Sequence, residues 1–187
     1  MPWTLAAAAH SELLIRKSRF LGCVEPVPDR AAAQARVAEL RAQHPGAAHV
    51  CWALLAGGQS AAHDDGEPGG TAGRPMLEVL RHHDLDGVLA TVVRYFGGVK
   101  LGAGGLVRAY ADTVAQALLQ AEKVAVQRRV RLACALPYAL EGLVRREFEA
   151  VGAELAEARH GDEVMLAYQL VEPAAVAVRE RLAESGQ

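Results

Sequence analysis

The chain has 187 residues, just over half of them hydrophobic, with 20 basic and 22 acidic side chains and a formal net charge of −2. That length fits one large globular domain or two small ones. Residues 1–125 hold 12 basic and 12 acidic side chains and the remainder 8 and 10, which excludes a basic nucleic-acid domain in either half and leaves only local clusters to meet a polyanion.

From the N-terminus, Glu12 to Val27 is rich in strand formers and broken by Arg16-Lys17-Ser18-Arg19, so a strand, a turn and a second strand are predicted. Pro28 and Asp29 stop the strand and cap a helix, in which Ala33, Val37 and Leu40 share one face until Pro45-Gly46 ends it. Ala48 to Ala56 forms a third strand, followed by the acidic, glycine-rich loop HDDGEPGGTAGRP. Pro75 suits the first turn of a helix with Met76, Leu77 and Leu80 inward, closed by Asp84 to Gly87. Val88 to Val93 reads as a central strand buried on both faces and ends at Arg94-Tyr95-Phe96. A second glycine-rich loop leads into a helix marked by Leu106, Tyr110, Val114 and Leu118. This alternation predicts a sandwich with helices on one sheet face.

The pattern restarts near residues 121–126, which places a boundary between a domain of residues 1–125 and a smaller one of 126–187. In the second, Val130, Leu132, Cys134 and Leu136 alternate as in a half-buried strand. Leu140, Leu143, Val144 and Phe148 mark a helix, with Glu141 and Arg145 as an i,i+4 pair. Strands over 154–159 and 163–171 join through His160-Gly161-Asp162, and a last helix opens at Pro173. The order βαββα is that of a ferredoxin-like domain without a final strand. Overall the class is α+β.

Cys23, Cys51 and Cys134 lie in apolar stretches with no CxxC pair and an odd total, as expected of buried free thiols in a reducing cytosol. Leu5 to Ala9 has no basic segment before it and is far shorter than a membrane span, so a soluble cytoplasmic protein with no membrane partner is expected.

Nine of the 18 glycines crowd the two loops. Gly66, Gly69, Gly70 and Gly73 accompany Asp64, Asp65 and Glu67 in the first. Gly97, Gly98, Gly102, Gly104 and Gly105 lie in the second, between Arg94, Lys100 and Arg108, so an acidic loop is expected to face a basic one. Such density points either to close packing or to backbone offered to a ligand. The free N–H groups at a helix start beside Lys100 suit a phosphate, although neither the P-loop nor the dinucleotide fingerprint is present. The carboxylates could hold Mg2+, but a solvated, backbone-capping acidic turn is the simpler account and no cofactor is assigned. Ser18 and Ser60 lack a nucleophile setting, His82-His83 cannot share one helix face, and HExxH is absent. No catalytic residue is therefore assigned, and the chain reads as a binding protein more than as an enzyme.

Ser18-Arg19-Phe20, the Asp64-Asp65-Gly66-Glu67-Pro68 run with Gly70-Thr71-Ala72-Gly73, and Arg94-Tyr95-Phe96-Gly97-Gly98 with Lys100 to Tyr110 closely resemble the Impact family, bacterial YigZ branch. His63 stands where serine is expected in many members. The resemblance implies a first domain of the ribosomal-protein-domain-2-like fold shared with domain IV of elongation factor G, including a left-handed βαβ crossover. It implies a second, ferredoxin-like domain similar to domain V of that factor. Eukaryotic members regulate translation by competing for a kinase activator. By that resemblance the expected role is a translation-linked regulatory factor binding RNA or the ribosome through Arg94, Gly97, Gly98, Lys100, Gly104, Gly105 and Arg108. The alternatives are a magnesium-dependent enzyme acting on a phosphorylated small molecule through Asp64, Asp65 and Glu67, or a module that regulates by binding a protein partner.

Overall fold

In the computed structural model, which describes residues 2–126 and 129–184, the chain divides into two units at residue 126. The first is organised by the apolar run Val88–Tyr95 (β6), whose residues Val88 to Arg94 are all buried. On one side β6 pairs with Ser18–Pro26 (β3), which pairs in turn with Ala9–Ile15 (β2). On the other it pairs with His49–Ala56 (β4), flanked by Gln59–His63 (β5). The sheet has the order β2-β3-β6-β4-β5, and every pairing is antiparallel. A small ribbon of Trp3–Leu5 (β1) with Lys123–Ala125 (β7) joins the two ends of the unit.

Helices cover both faces of this sheet, not the single face expected from the alternation of elements. Arg30–Gln43 (α1) packs Ala33, Val37 and Leu40 against Val50, Leu54, Leu89 and Val93. Gly73–His82 (α2) and Ala103–Leu118 (α3) pack Met76, Leu80, Leu106, Tyr110 and Val114 against Phe20, Cys51, Ala90 and Val92. The physical reason is the unbroken apolarity of β6. A strand whose alternate side chains are all apolar exposes half of them unless each face has its own cover.

The helices have defined directions. Arg81 near the end of α2 reaches Ser60 at the start of β5, while Gly73 abuts His63 at its end. Phe20 meets Tyr110, and Gly22 meets Thr113 further along α3. With β5 parallel to β6 and β3 antiparallel to it, α2 and α3 both run opposite to β6 and begin at its C-terminal end. α1 runs the other way, its cap His44 bonded to Tyr95. That end of the sheet also carries the β2–β3 turn, since Arg19 pairs with Tyr95.

In the second unit, Arg129–Leu136 (β8), Glu141–Ala150 (α4), Glu154–His160 (β9), Val164–Val171 (β10) and Glu172–Glu184 (α5) follow in the βαββα order. The sheet order is β8-β10-β9, antiparallel throughout. Leu136, Val144, Phe148, Leu166, Tyr168 and Val178 form its core, with the Phe148 and Tyr168 rings stacked at 4.0 Å. Glu141 and Arg145 form the expected ion pair at 2.7 Å. The chain beyond Glu184, which was assigned no final strand, lies outside the described residues.

Burial predicts where truncation matters. Leu80 is fully buried under α2, so Leu80→Ala should cost about 2–5 kcal/mol by leaving a cavity. Leu14, 74% exposed, should change stability by less than about 0.5 kcal/mol when cut to alanine. Urea unfolding of both variants measures the contrast.

Candidate nucleic-acid interface

The family-like motifs converge beneath the surface at the C-terminal end of β6. Glu67 turns inward, and its Oε1 accepts from Arg94 Nη1 at 2.5 Å and from the Tyr110 hydroxyl at 2.7 Å. Arg94 Nη2 donates to Ser18 Oγ at 3.4 Å, and Gly97 N–H donates to the same hydroxyl at 3.2 Å. The guanidinium lies 5.3 and 5.5 Å from the Phe20 and Phe96 ring centroids, within the range of cation–π attraction. His49 Nε2 stands 3.7 Å from Glu67 Oε1. Cys51 Sγ contacts the Tyr110 hydroxyl and the Asp64 carbonyl, and burial pushes its thiol up to about 12, which disfavours the thiolate. Burial likewise raises the Tyr110 phenol.

Arg94 was expected to meet phosphate, and the structure corrects that. Its side chain is 5% exposed and that of Glu67 is 3% exposed, so the guanidinium serves as the counter-charge of a buried carboxylate. The expected meeting of an acidic and a basic loop takes place in this one pair; Asp64 and Asp65 have other partners.

Asp64 folds back over the start of α2. Its Oδ2 accepts from Gly70 N–H at 2.7 Å, and its Oδ1 accepts from Ala72 and Gly73 N–H at 3.1 and 2.8 Å. Burial works to raise its pKa, but the three N–H donors outweigh it and hold the carboxyl below its ordinary value. Asp65, at φ +44°, accepts from Arg41 at 2.6 Å and from Val50 N–H at 2.7 Å. The three carboxylates thus point to three separate donor sets. Among the described residues no group of three or more His, Cys, Asp or Glu side chains is placed to hold a metal ion.

The second loop divides between packing and openness. A Cβ on Gly97 would run into the Lys17–Ser18 peptide, and one on Gly105 would press on Leu101 at 3.0 Å. Gly98 and Gly102 need their positive φ, +83° and +74°. Gly104 is different: a Cβ there meets open space, so close backbone approach does not account for it. Gly102 caps α3 without a side-chain hydrogen bond, and the first turn of α3 has no acidic residue. Exposed beside this helix start are Lys100 and Arg16, whose Nη1 lies 3.5 Å from the Lys100 carbonyl. Arg108 follows Gly104 by four residues and shares its face of α3. Arg16 and Lys17 form the whole β2–β3 turn, both in the left-handed region at φ +45° and +66°. Sequence reasoning took these two as turn residues and missed them as part of the site, although two cations between two strand runs were the available signal.

Comparison with known proteins places this geometry. The model of the Impact N-terminal domain matches residues 16–118. The chain is 45% identical over 119 residues to the Impact family member YvyE of Bacillus subtilis (strain 168), a match covering 62% of this chain and 55% of that protein. It is 46% identical over 124 residues to the family member YigZ of Escherichia coli (strain K12), covering 63% of this chain and 61% of that one. The chain thus spans little more than half the length of these curated relatives. A crystal structure of a hypothetical protein has 33% identity and a TM-score of 0.81, covering 97% of this chain and 91% of that one.

Removing one member of the buried pair strands the other charge, so Arg94→Ala should cost about 3–5 kcal/mol and Glu67→Ala a similar amount. Their double variant should lose less than the sum, which a urea-denaturation cycle reads directly. Asp64→Ala should cost about 0.5–2 kcal/mol at neutral pH through the lost cap of α2. Because the folded pKa of Asp64 is depressed, this advantage is complete above the ordinary carboxylate pKa. It should fade as pH falls through the lower folded value, which thermal melts of both proteins over an acid series would follow.

Proposed function

Because the chain belongs to the Impact family, we propose that its N-terminal unit is a translation-linked RNA- or ribosome-binding module that grips phosphate at the C-terminal end of β6. The observation that carries this is four exposed cations, Arg16, Lys17, Lys100 and Arg108, with no carboxylate partner among the described residues. Of the other arginines of the unit, five are paired, Arg19 with Glu12, Arg36 with Glu25, Arg41 with Asp65, Arg81 with Glu78 and Arg94 with Glu67, while Arg30 and Arg74, on α1 and α2, have no carboxylate partner among the described residues. On a chain of net charge −2, that leaves a local positive surface where backbone phosphates can displace counterions.

The helix ends support the same reading. The start of α2 is satisfied by Asp64, whereas that of α3 carries no side-chain cap. Free N–H groups and the positive end of a helix dipole favour an anion there. Phe96, 53% exposed beside the loop, offers one ring for a base to stack on. The link to translation rests on the family resemblance, which implies a first domain similar to domain IV of elongation factor G.

The Arg16–Lys17 turn separates binding from folding. Two-residue hairpins of this kind favour Asn-Gly because both positions need positive φ, so the double variant Arg16→Asn/Lys17→Gly should relieve strain and raise the melting temperature while weakening binding. With four phosphate contacts, filter binding to a short single-stranded RNA should show a log–log salt slope of about −3. Lys100→Ala and Arg108→Ala should each make that slope shallower by about 0.7. Absence of both RNA binding and ribosome co-sedimentation at low salt, or a slope near zero, would refute the proposal.

A further inference from the structure

A groove of about 950 Å3 runs between α2 and α3, open to solvent. Its floor is aliphatic: Val79 from α2 and Val107, Ala111 and Ala115 from α3. The three α3 residues recur every four positions, on one helix face. Val107 is 39% exposed, and Leu119, which continues the row, is 72% exposed. The α2 wall is cationic. Arg74 has no carboxylate partner among the described residues, and Arg81 and the exposed His82 follow about two turns later. Glu78, the one carboxylate lining the groove, is already held by Arg81 at 3.0 Å. Behind them His83 accepts from Lys123 Nζ at 3.0 Å, which extends the positive rim.

We infer that this groove is the docking site for an acidic amphipathic helix of a partner protein. The aliphatic floor suits the apolar face of a helix, and its alanines let a second helix approach to about 8–10 Å between axes. Val107 to Leu119 spans about 18 Å of helix, enough to seat about three turns. Aliphatic anchors at i, i+4 and i+7 would fill the floor. Carboxylates on the flank facing α2 would meet Arg74, the cation of this wall that has no carboxylate partner among the described residues. The site is separate from the phosphate-binding surface proposed above and uses none of its cations.

The test uses the full chain and two synthetic helical peptides with the same Leu/Ala face, one flanked by glutamates and the other by lysines, in fluorescence anisotropy. The acidic peptide should saturate and bind at least about tenfold tighter than the basic one. Ala111→Arg, on the half-buried floor, should weaken it at least about tenfold without altering the melting temperature or RNA binding. Arg74→Glu should reverse the preference between the peptides. No binding of the acidic peptide, equal binding of both, or indifference to Ala111→Arg would overturn the inference. So would self-association of the chain abolished by Ala111→Arg, which would assign the groove to a second copy, or displacement of the acidic peptide by RNA. If RNA binding fails while the acidic peptide behaves as expected, only the proposed function falls.

Discussion

The first unit depends on one desolvated ion pair, Glu67 with Arg94. Such a pair contributes little net stability, because the cost of removing both charges from water roughly offsets their attraction. What it supplies is position. Glu67 comes from the first loop, Arg94 from β6, Ser18 from the start of β3 and Tyr110 from α3, and all meet within hydrogen-bond reach. Among the described residues the Arg94 Nε has no acceptor, and the guanidinium is held by its two Nη donors and by the rings of Phe20 and Phe96 on its flanks. A loop dense in glycine and charge is thereby held to the sheet at its centre, while Asp64 and Asp65 secure its two ends.

This inward use of acidity shapes the outer surface. Glu67, Asp65 and Asp64 are consumed by Arg94, Arg41 and the backbone of α2, so no carboxylate of that loop remains to neutralise Arg16, Lys17, Lys100 or Arg108. A nearly neutral chain acquires a positive end because its negative charges there are spent on the fold. α3 then serves two neighbouring surfaces: its first turn adjoins the cations, and its Val107–Ala111–Ala115 row faces the groove.

Much of this was legible in the residues. Continuous apolarity in Val88 to Val93 located the central strand, and the motifs located the two loops and the kinship. The helices were found, but not their distribution over both faces, even though a strand buried on both faces already demands two covers. β5 was missed although Gly57-Gly58, both at positive φ, is a two-residue hairpin signal. β1 and β7 are only three residues each and carry no period to detect. The site was half legible. Lys100 and Arg108 are exposed as their setting suggested, but an arginine at a strand end does not reveal whether it points to water or to a carboxylate. That depended on Glu67 lying across from it, a contact 27 residues away in sequence.

The shared direction of α2 and α3 has a consequence for encounter as well as for contact. Their macrodipoles add, and α1 opposes only one of the two. The unit is therefore electrically polar along the strand axis, positive at the end where β6 terminates. The effect is short-ranged, confined to the first turns of α2 and α3 and to the cations beside them. The chain's overall negative charge works in the same sense by disfavouring approach of the other surfaces. For the phosphate contacts proposed above, the helix directions and the exposed cations thus favour one and the same end of the sheet.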